Sequence, residues 1–129
     1  MEKAIICVDD ERSILAALQQ QMMREYANEF ILEFAESGEE ALELCEDFIA
    51  REIAVALVVT DEMMPGIKGH ELIASLALLS PNTTCILLTG YADSDVINSI
   101  TSANLAKCLA KPWDSLELFG TIERALQEQ

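Results

Sequence analysis

Short apolar, β-branched runs alternate along this chain with longer stretches whose apolar residues recur every three or four positions. Ala4-Ile5-Ile6-Cys7-Val8 is apolar throughout and stops at Asp9-Asp10. A helical pattern follows over about Arg12 to Ala27, with Leu15, Leu18 and Met22 on one face. Phe30 to Phe34 reads as a second strand. Ser37 and Glu40 have the spacing of a capping box, and Ala41, Leu44, Cys45 and Phe48 form the stripe of the helix it opens. Val55 to Thr60 predicts a third strand ending at Asp61. Leu72, Ile73, Leu76 and Leu79 mark the inner face of a third helix, which Pro81-Asn82 ends. Thr84 to Thr89 predicts strand four. Asp93 then caps a helix carrying Val96, Ile97 and Ile100. Ala106 to Ala110 predicts strand five. Asp114 and Glu117 open a last helix with Leu118, Phe119, Ile122 and Leu126 inward.

The order is strand–helix five times. Strands without polar alternation are buried on both faces, which predicts an α/β fold: a doubly wound, five-stranded parallel sheet with helices on each side. In such sheets the site lies outside the carboxyl ends of the strands. Asp9, Asp10, Asp61, Thr89 and Lys111 all stand at those ends and are expected to converge.

Composition narrows the function. At 129 residues the chain is expected to form a single domain spanning 1–129. Eight basic against 23 acidic residues give a net charge of −15. A surface this acidic repels phosphate backbones and anionic lipid, so neither nucleic acid nor a membrane is expected as a partner. The seven-residue apolar run Ile53 to Val59 is far short of the about 20 residues a span requires. Cys7, Cys45, Cys85 and Cys108 lack C-x-x-C spacing, and the single histidine, His70, has no neighbouring cysteine, so a zinc site is not expected. Free thiols and the absence of a signal-peptide pattern predict a cytoplasmic setting.

Clustered carboxylates repel unless a cation joins them. Hard oxygen ligands suit Mg²⁺, which typically takes one or two carboxylates and bridges to phosphate. A carboxylate can attack phosphorus to form an acyl phosphate, and a metal with an ammonium can neutralise the equatorial oxygens. An acidic pair after strand one, Asp61 after strand three, a hydroxyl after strand four and a lysine after strand five therefore compose a phosphoryl-transfer set. Each has an ordinary alternative: a turn or capping Asp61, a plain strand Thr89, a solvated Lys111. Their coincidence favours the chemistry.

Val8-Asp9-Asp10-Glu11, Asp61-Glu62-Met63-Met64-Pro65-Gly66 with Gly69, Leu88-Thr89-Gly90 and Ala110-Lys111-Pro112-Trp113 together resemble the receiver domains of two-component response regulators. The resemblance runs from Lys3 to about Leu126. It implies a flavodoxin-like sheet in the order 2-1-3-4-5 and Asp61 as acceptor of a phosphoryl group from a sensor histidine kinase or phosphotransfer protein. It implies Mg²⁺ held by Asp10 directly, by Asp9 mainly through water, by Asp61 and by the Met63 carbonyl. Thr89 becomes the switch hydroxyl, Lys111 the phosphate-binding lysine, and the bond before Pro112 is expected cis. The resemblance further implies a domain that catalyses only its own phosphorylation and dephosphorylation. A homodimer through the fourth helix, fifth strand and fifth helix is a further expectation.

Two positions depart from the family. Cys108 replaces an aromatic switch residue, so activation is expected to rely on Thr89 and the loop Gly90 to Asp93. Lys68 stands where Asp is usual. In the family that this chain resembles, the side chains at the positions of Met63 and Tyr91 flank the path of the hydrolytic water, so these two residues predict a long-lived phosphorylated form. His70 reads as a surface residue, and Trp113 as packing for the last helix. The rival functions fit less well. A Mg²⁺-dependent phosphatase with an Asp nucleophile needs a second Asp at position 63, where Met63 stands. A flavin carrier needs a hydroxyl-rich phosphate loop where Asp9-Asp10-Glu11 stands. The chain is either a complete regulator or the receiver of a longer protein with an effector domain beyond Gln129.

Overall fold

The computed structural model describes residues 2–90 and 104–129. In chain order the described elements are β1 (Lys3–Val8), α1 (Arg12–Tyr26), β2 (Ile31–Ala35), α2 (Gly38–Ala50), β3 (Ala54–Asp61), α3 (Gly69–Leu79), β4 (Thr84–Thr89), β5 (Leu105–Ala110) and α4 (Ser115–Gln127). The helix expected around Val96 to Ile100 lies outside the described residues, so α4 is the fifth helix of the sequence pattern.

All strand pairs are parallel and the sheet order is β2-β1-β3-β4-β5. The three central strands are buried on both faces. Ala4, Ile6, Val8, Val58 and Leu87 face α2 and α3. Ile5, Cys7, Val59, Ile86 and Leu88 face α1 and α4. Alternation along each strand therefore feeds two cores, one on each side of the sheet. A fully buried aliphatic side chain such as Ile6 or Leu87 contributes about 1.5–3 kcal/mol relative to exposure. The edges behave differently: β2 and β5 are mostly half-buried or exposed. In β3 the register against β1 shifts across Ala56, and the Gln129 side chain donates to the freed Ala56 carbonyl at 2.6 Å.

Local signals resolve with two corrections. Ser37 caps α2, its Oγ accepting from Glu40 N at 3.1 Å. The Glu40 carboxylate, however, accepts from Glu36 N at 3.2 Å rather than from Ser37 N. Ser37 is extended (φ −152°, ψ 161°), and successive N–H groups of an extended chain point to opposite sides. The second correction is Leu79. Leu72, Ile73 and Leu76 are buried, but Leu79 is 38% exposed because it is the last helical residue and the chain turns away at Ser80.

Candidate functional site

Strand direction brings the carboxyl ends together. Asp9 directly follows β1, and its N–H donates to Ala35 O at the end of β2. Its Oδ1 accepts from Glu11 N at 2.9 Å, which turns the chain into α1 and aims Oδ2 at the centre of the site. Asp61 ends β3 opposite Leu88 of β4. Thr89 ends β4 opposite Ala110 of β5, and its carbonyl accepts from Lys111 N at 2.8 Å. The Lys111–Pro112 bond is cis.

Lys111, just beyond the edge strand β5, reaches past β4 to the ends of the neighbouring strands β1 and β3. Its Nζ stands 2.8 Å from Asp9 Oδ2 and 3.2 Å from Asp61 Oδ1. Asp9 is fully buried, and Asp61 and Thr89 nearly so. Asp10 is exposed, yet one oxygen each from Asp9, Asp10 and Asp61 lie within 4.8 Å of one another. One ammonium thus faces three carboxylates. Burial, then the Asp9 charge, push the Asp61 carboxyl above its ordinary value, with Lys111 opposing. Burial pulls Lys111 down, but its bonds to Asp9 and Asp61 outweigh that and hold it above its ordinary value. Hard oxygen donors in charge excess fit a divalent cation such as Mg²⁺. Met63 is 66% exposed and borders the cluster in sequence. A groove of about 470 Å³ opens beside the site, lined by Glu11, Ile14, Gln21, Lys111, Pro112 and Trp113.

The β3–α3 connection sits tightly under Asp61. A Cβ on Gly69 would lie 2.2 Å from the Asp61 carbonyl oxygen and 2.9 Å from Glu62 Cα, so only glycine fits there. Lys68 precedes the helix. An ammonium offers no acceptor, so of a capping box only the Glu71 half forms, accepting from Lys68 N at 2.9 Å. Lys68 Nζ instead donates to Met64 O at 2.9 Å, closing the loop on itself. Glu39 of α2 reaches the same loop at Ile67 N, 3.4 Å away.

The sequence reads His70 as a surface residue, and the structure adds a partner which that reading did not foresee. His70 is half-exposed, and its Nδ1 stands 2.6 Å from Oε2 of Glu62, a buried residue. Apolar periodicity carries no trace of this pair, because the partners lie eight residues apart across a loop. Cys108 is half-buried against the α2–α3 core. Burial and the Glu62 carboxylate raise its thiol above the ordinary value. Trp113 packs on the α1–α4 core and donates from Nε1 to Gln21 Oε1 at 3.2 Å. Tyr91 and the loop from 91 to Asp93 lie outside the described residues.

The response regulator receiver domain profile matches residues 5–123. The chain belongs to the response regulator receiver family. Among curated relatives, the hydrogenase transcriptional regulatory protein HoxA of Cupriavidus necator is 29% identical over 99% of this chain and 25% of its own length. Sporulation initiation phosphotransferase F of Bacillus subtilis is 27% identical, over 98% of this chain and 95% of its own. The signal receiver domain of an HD domain-containing protein from Pseudomonas fluorescens superposes with a TM-score of 0.85 at 32% identity, covering 99% of this receiver and 97% of that chain. This receiver spans 24–32% of four of the curated relatives it matches.

Proposed function

We propose that this receiver accepts a phosphoryl group on Asp61 and thereby controls a downstream output. The observation that carries the reading is Lys111 Nζ held between Asp9 and Asp61 at the strand ends, with Asp10 alongside. An Asp61 carboxylate oxygen attacks the phosphorus of a donor phosphohistidine. The O–P bond forms as the N–P bond breaks, and the imidazole leaves with the electron pair and takes up a proton. Asp9, Asp10, Asp61 and the Met63 carbonyl would hold Mg²⁺, which when bound neutralises charge on the transferring phosphoryl oxygens. Lys111 supplies a second positive charge to those oxygens. The Thr89 hydroxyl, at the end of the adjacent strand, has a phosphoryl oxygen to bond only after transfer, which suits it to report the phosphorylated state.

The groove beside Lys111 supports approach of a sensor histidine kinase or phosphotransfer protein from the α1 side. The domain acts on itself and is not a turnover enzyme. Residues 1–129 form one receiver unit, working in the cytoplasm, without nucleic acid or membrane as a direct ligand. Among the described residues no helix is long and apolar enough to cross a membrane. Self-association through β5 and α4, together with the segment between β4 and β5, is part of the same reading. So is a switch that uses Thr89 and the following loop in place of an aromatic residue at Cys108. Incubation with acetyl phosphate and Mg²⁺ tests the core of it: one phosphoryl group should add by intact mass. Phosphorylation that persists in Asp61→Asn, or in the presence of a chelator, would overturn the assignment. Millimolar Mg²⁺ should also raise the melting temperature, and an equal rise in Asp10→Ala would place the metal elsewhere on this acidic surface.

A further inference from the structure

Glu62 directly follows the phosphoacceptor and is the third buried acidic residue of the site, with Asp9 and Asp61. Those two share Lys111, whereas Glu62 has a different set of partners. Its N–H donates to Leu88 O of β4 at 3.1 Å, and its carbonyl accepts from Gly69 N at 3.0 Å. Oε1 accepts from His70 N at 2.8 Å, and Oε2 pairs with His70 Nδ1 at 2.6 Å. Every polar atom of residue 62 is therefore engaged. Paired with an ionised carboxylate, which has only acceptors, Nδ1 is the donor in that bond. The two N–H groups belong to the first turn of α3, where the helix dipole also favours a negative charge.

This arrangement fixes the peptide planes on both sides of residue 62. One of them carries the Asp61 carbonyl, which Gly69 approaches too closely for any Cβ. The other leads into Met63. Both the acceptor side chain and the next carbonyl thus hang from a residue clamped to β4 on one side and α3 on the other. The clamp also bears on charge. Asp9, Asp10 and Asp61 already cluster within 4.8 Å, with Lys111 as the cation that Asp9 and Asp61 share. The Glu62 carboxylate is held instead by His70 at the start of α3.

Resting on the phosphoacceptor reading above, we propose that Glu62 and His70 are positioning residues for phosphoryl transfer: their pair holds the β3–α3 junction so that Asp61 and the Met63 carbonyl stay set toward the acidic cluster. Neither touches the transferring group. The pair acts through the backbone between Asp61 and Met63.

The test compares wild type, Glu62→Ala, His70→Ala and His70→Asn. An asparagine amide can place a donor near the position of Nδ1, so it keeps the bond to Glu62 without the ring. Phosphorylation by acetyl phosphate is followed by intact mass across Mg²⁺ concentrations, with melting temperature recorded in chelator and in Mg²⁺. Both alanine variants should lose roughly tenfold or more in rate constant, need more Mg²⁺ for half-maximal rate and show a smaller Mg²⁺-induced rise in melting temperature. His70→Asn should return toward wild type on all three. Wild-type rates and Mg²⁺ response in His70→Ala would overturn the proposal even if that variant melts lower, because the pair would then serve stability alone. So would His70→Asn behaving no better than His70→Ala. Should Glu62→Ala fail to fold, the two His70 variants decide, since that ring is half-exposed. A wild type that takes no phosphoryl group, or an Asp61→Asn that does, defeats the phosphoacceptor reading instead.

Discussion

Replacing Lys111 with Met removes a charge while nearly keeping the volume, and it leaves Asp9 and Asp61 buried without their shared cation. At an effective dielectric constant near 20, attractions at 2.8 and 3.2 Å are worth ~6 and ~5 kcal/mol, or ~11 kcal/mol together. That gross figure is not the stability loss. The variant no longer desolvates an ammonium, and Asp61, already raised by burial and Asp9, can take up a proton and cap the repulsion. Removing one partner of a buried pair costs about 3–5 kcal/mol, and the proton uptake places Lys111→Met near the lower end. For a domain of this size, about 3 kcal/mol corresponds to a melting temperature lower by about 10 °C. Thermal melts at pH 7 in chelator should show that drop. It should shrink as pH falls and Asp61, held above its ordinary value, protonates. Millimolar Mg²⁺ should restore more stability to Lys111→Met than it adds to wild type, because a cation in the acidic cluster replaces the lost charge. An unchanged melting temperature in chelator would refute the reasoning. So would a Mg²⁺ increment no larger than that of wild type.

Further outcomes follow from the same geometry. Asp61→Asn should melt higher than wild type at pH 7: a raised native pKa means the folded state binds the proton more tightly, so ionisation costs stability as pH rises from 3.8 through the raised value, and the advantage should vanish below pH 3.8. Gly69→Ala should cost about 3 kcal/mol or more in urea unfolding and impair phosphorylation, because its Cβ meets backbone at the Asp61 carbonyl. Gly120→Ala, inside α4 with only the Arg124 guanidinium 4.0 Å away, should instead stabilise by about 0.5–1 kcal/mol in the same measurement. Met63→Asn should speed loss of phosphate from the phosphorylated domain, since an exposed amide beside the acceptor can orient water; an unchanged or slower rate in intact-mass decay would count against that role.

Much of the molecule was written in local order. Apolar runs too short for helices and without polar alternation specify strands buried on both faces, and such strands require parallel pairing with helices on each side. That placed Asp9, Asp10, Asp61, Thr89 and Lys111 at one end of the sheet before any contact was known, because all parallel strands end on the same side. Strand order came from family resemblance, since burial patterns do not say which buried strand lies next to which. Only tertiary structure decided the rest. It set one Lys111 ammonium between two carboxylates on different strands. It made Gly69 obligatory by pressing α3 against the Asp61 carbonyl. It sent the Glu40 carboxylate to Glu36 instead of Ser37. It also gave the chain's only histidine a buried carboxylate partner. The physical reason is the range of the forces. Periodicity records which face of an element leaves water, a property of one segment alone. Hydrogen bonds and ion pairs depend on distances of a few ångströms between segments, which exist only once the segments have packed.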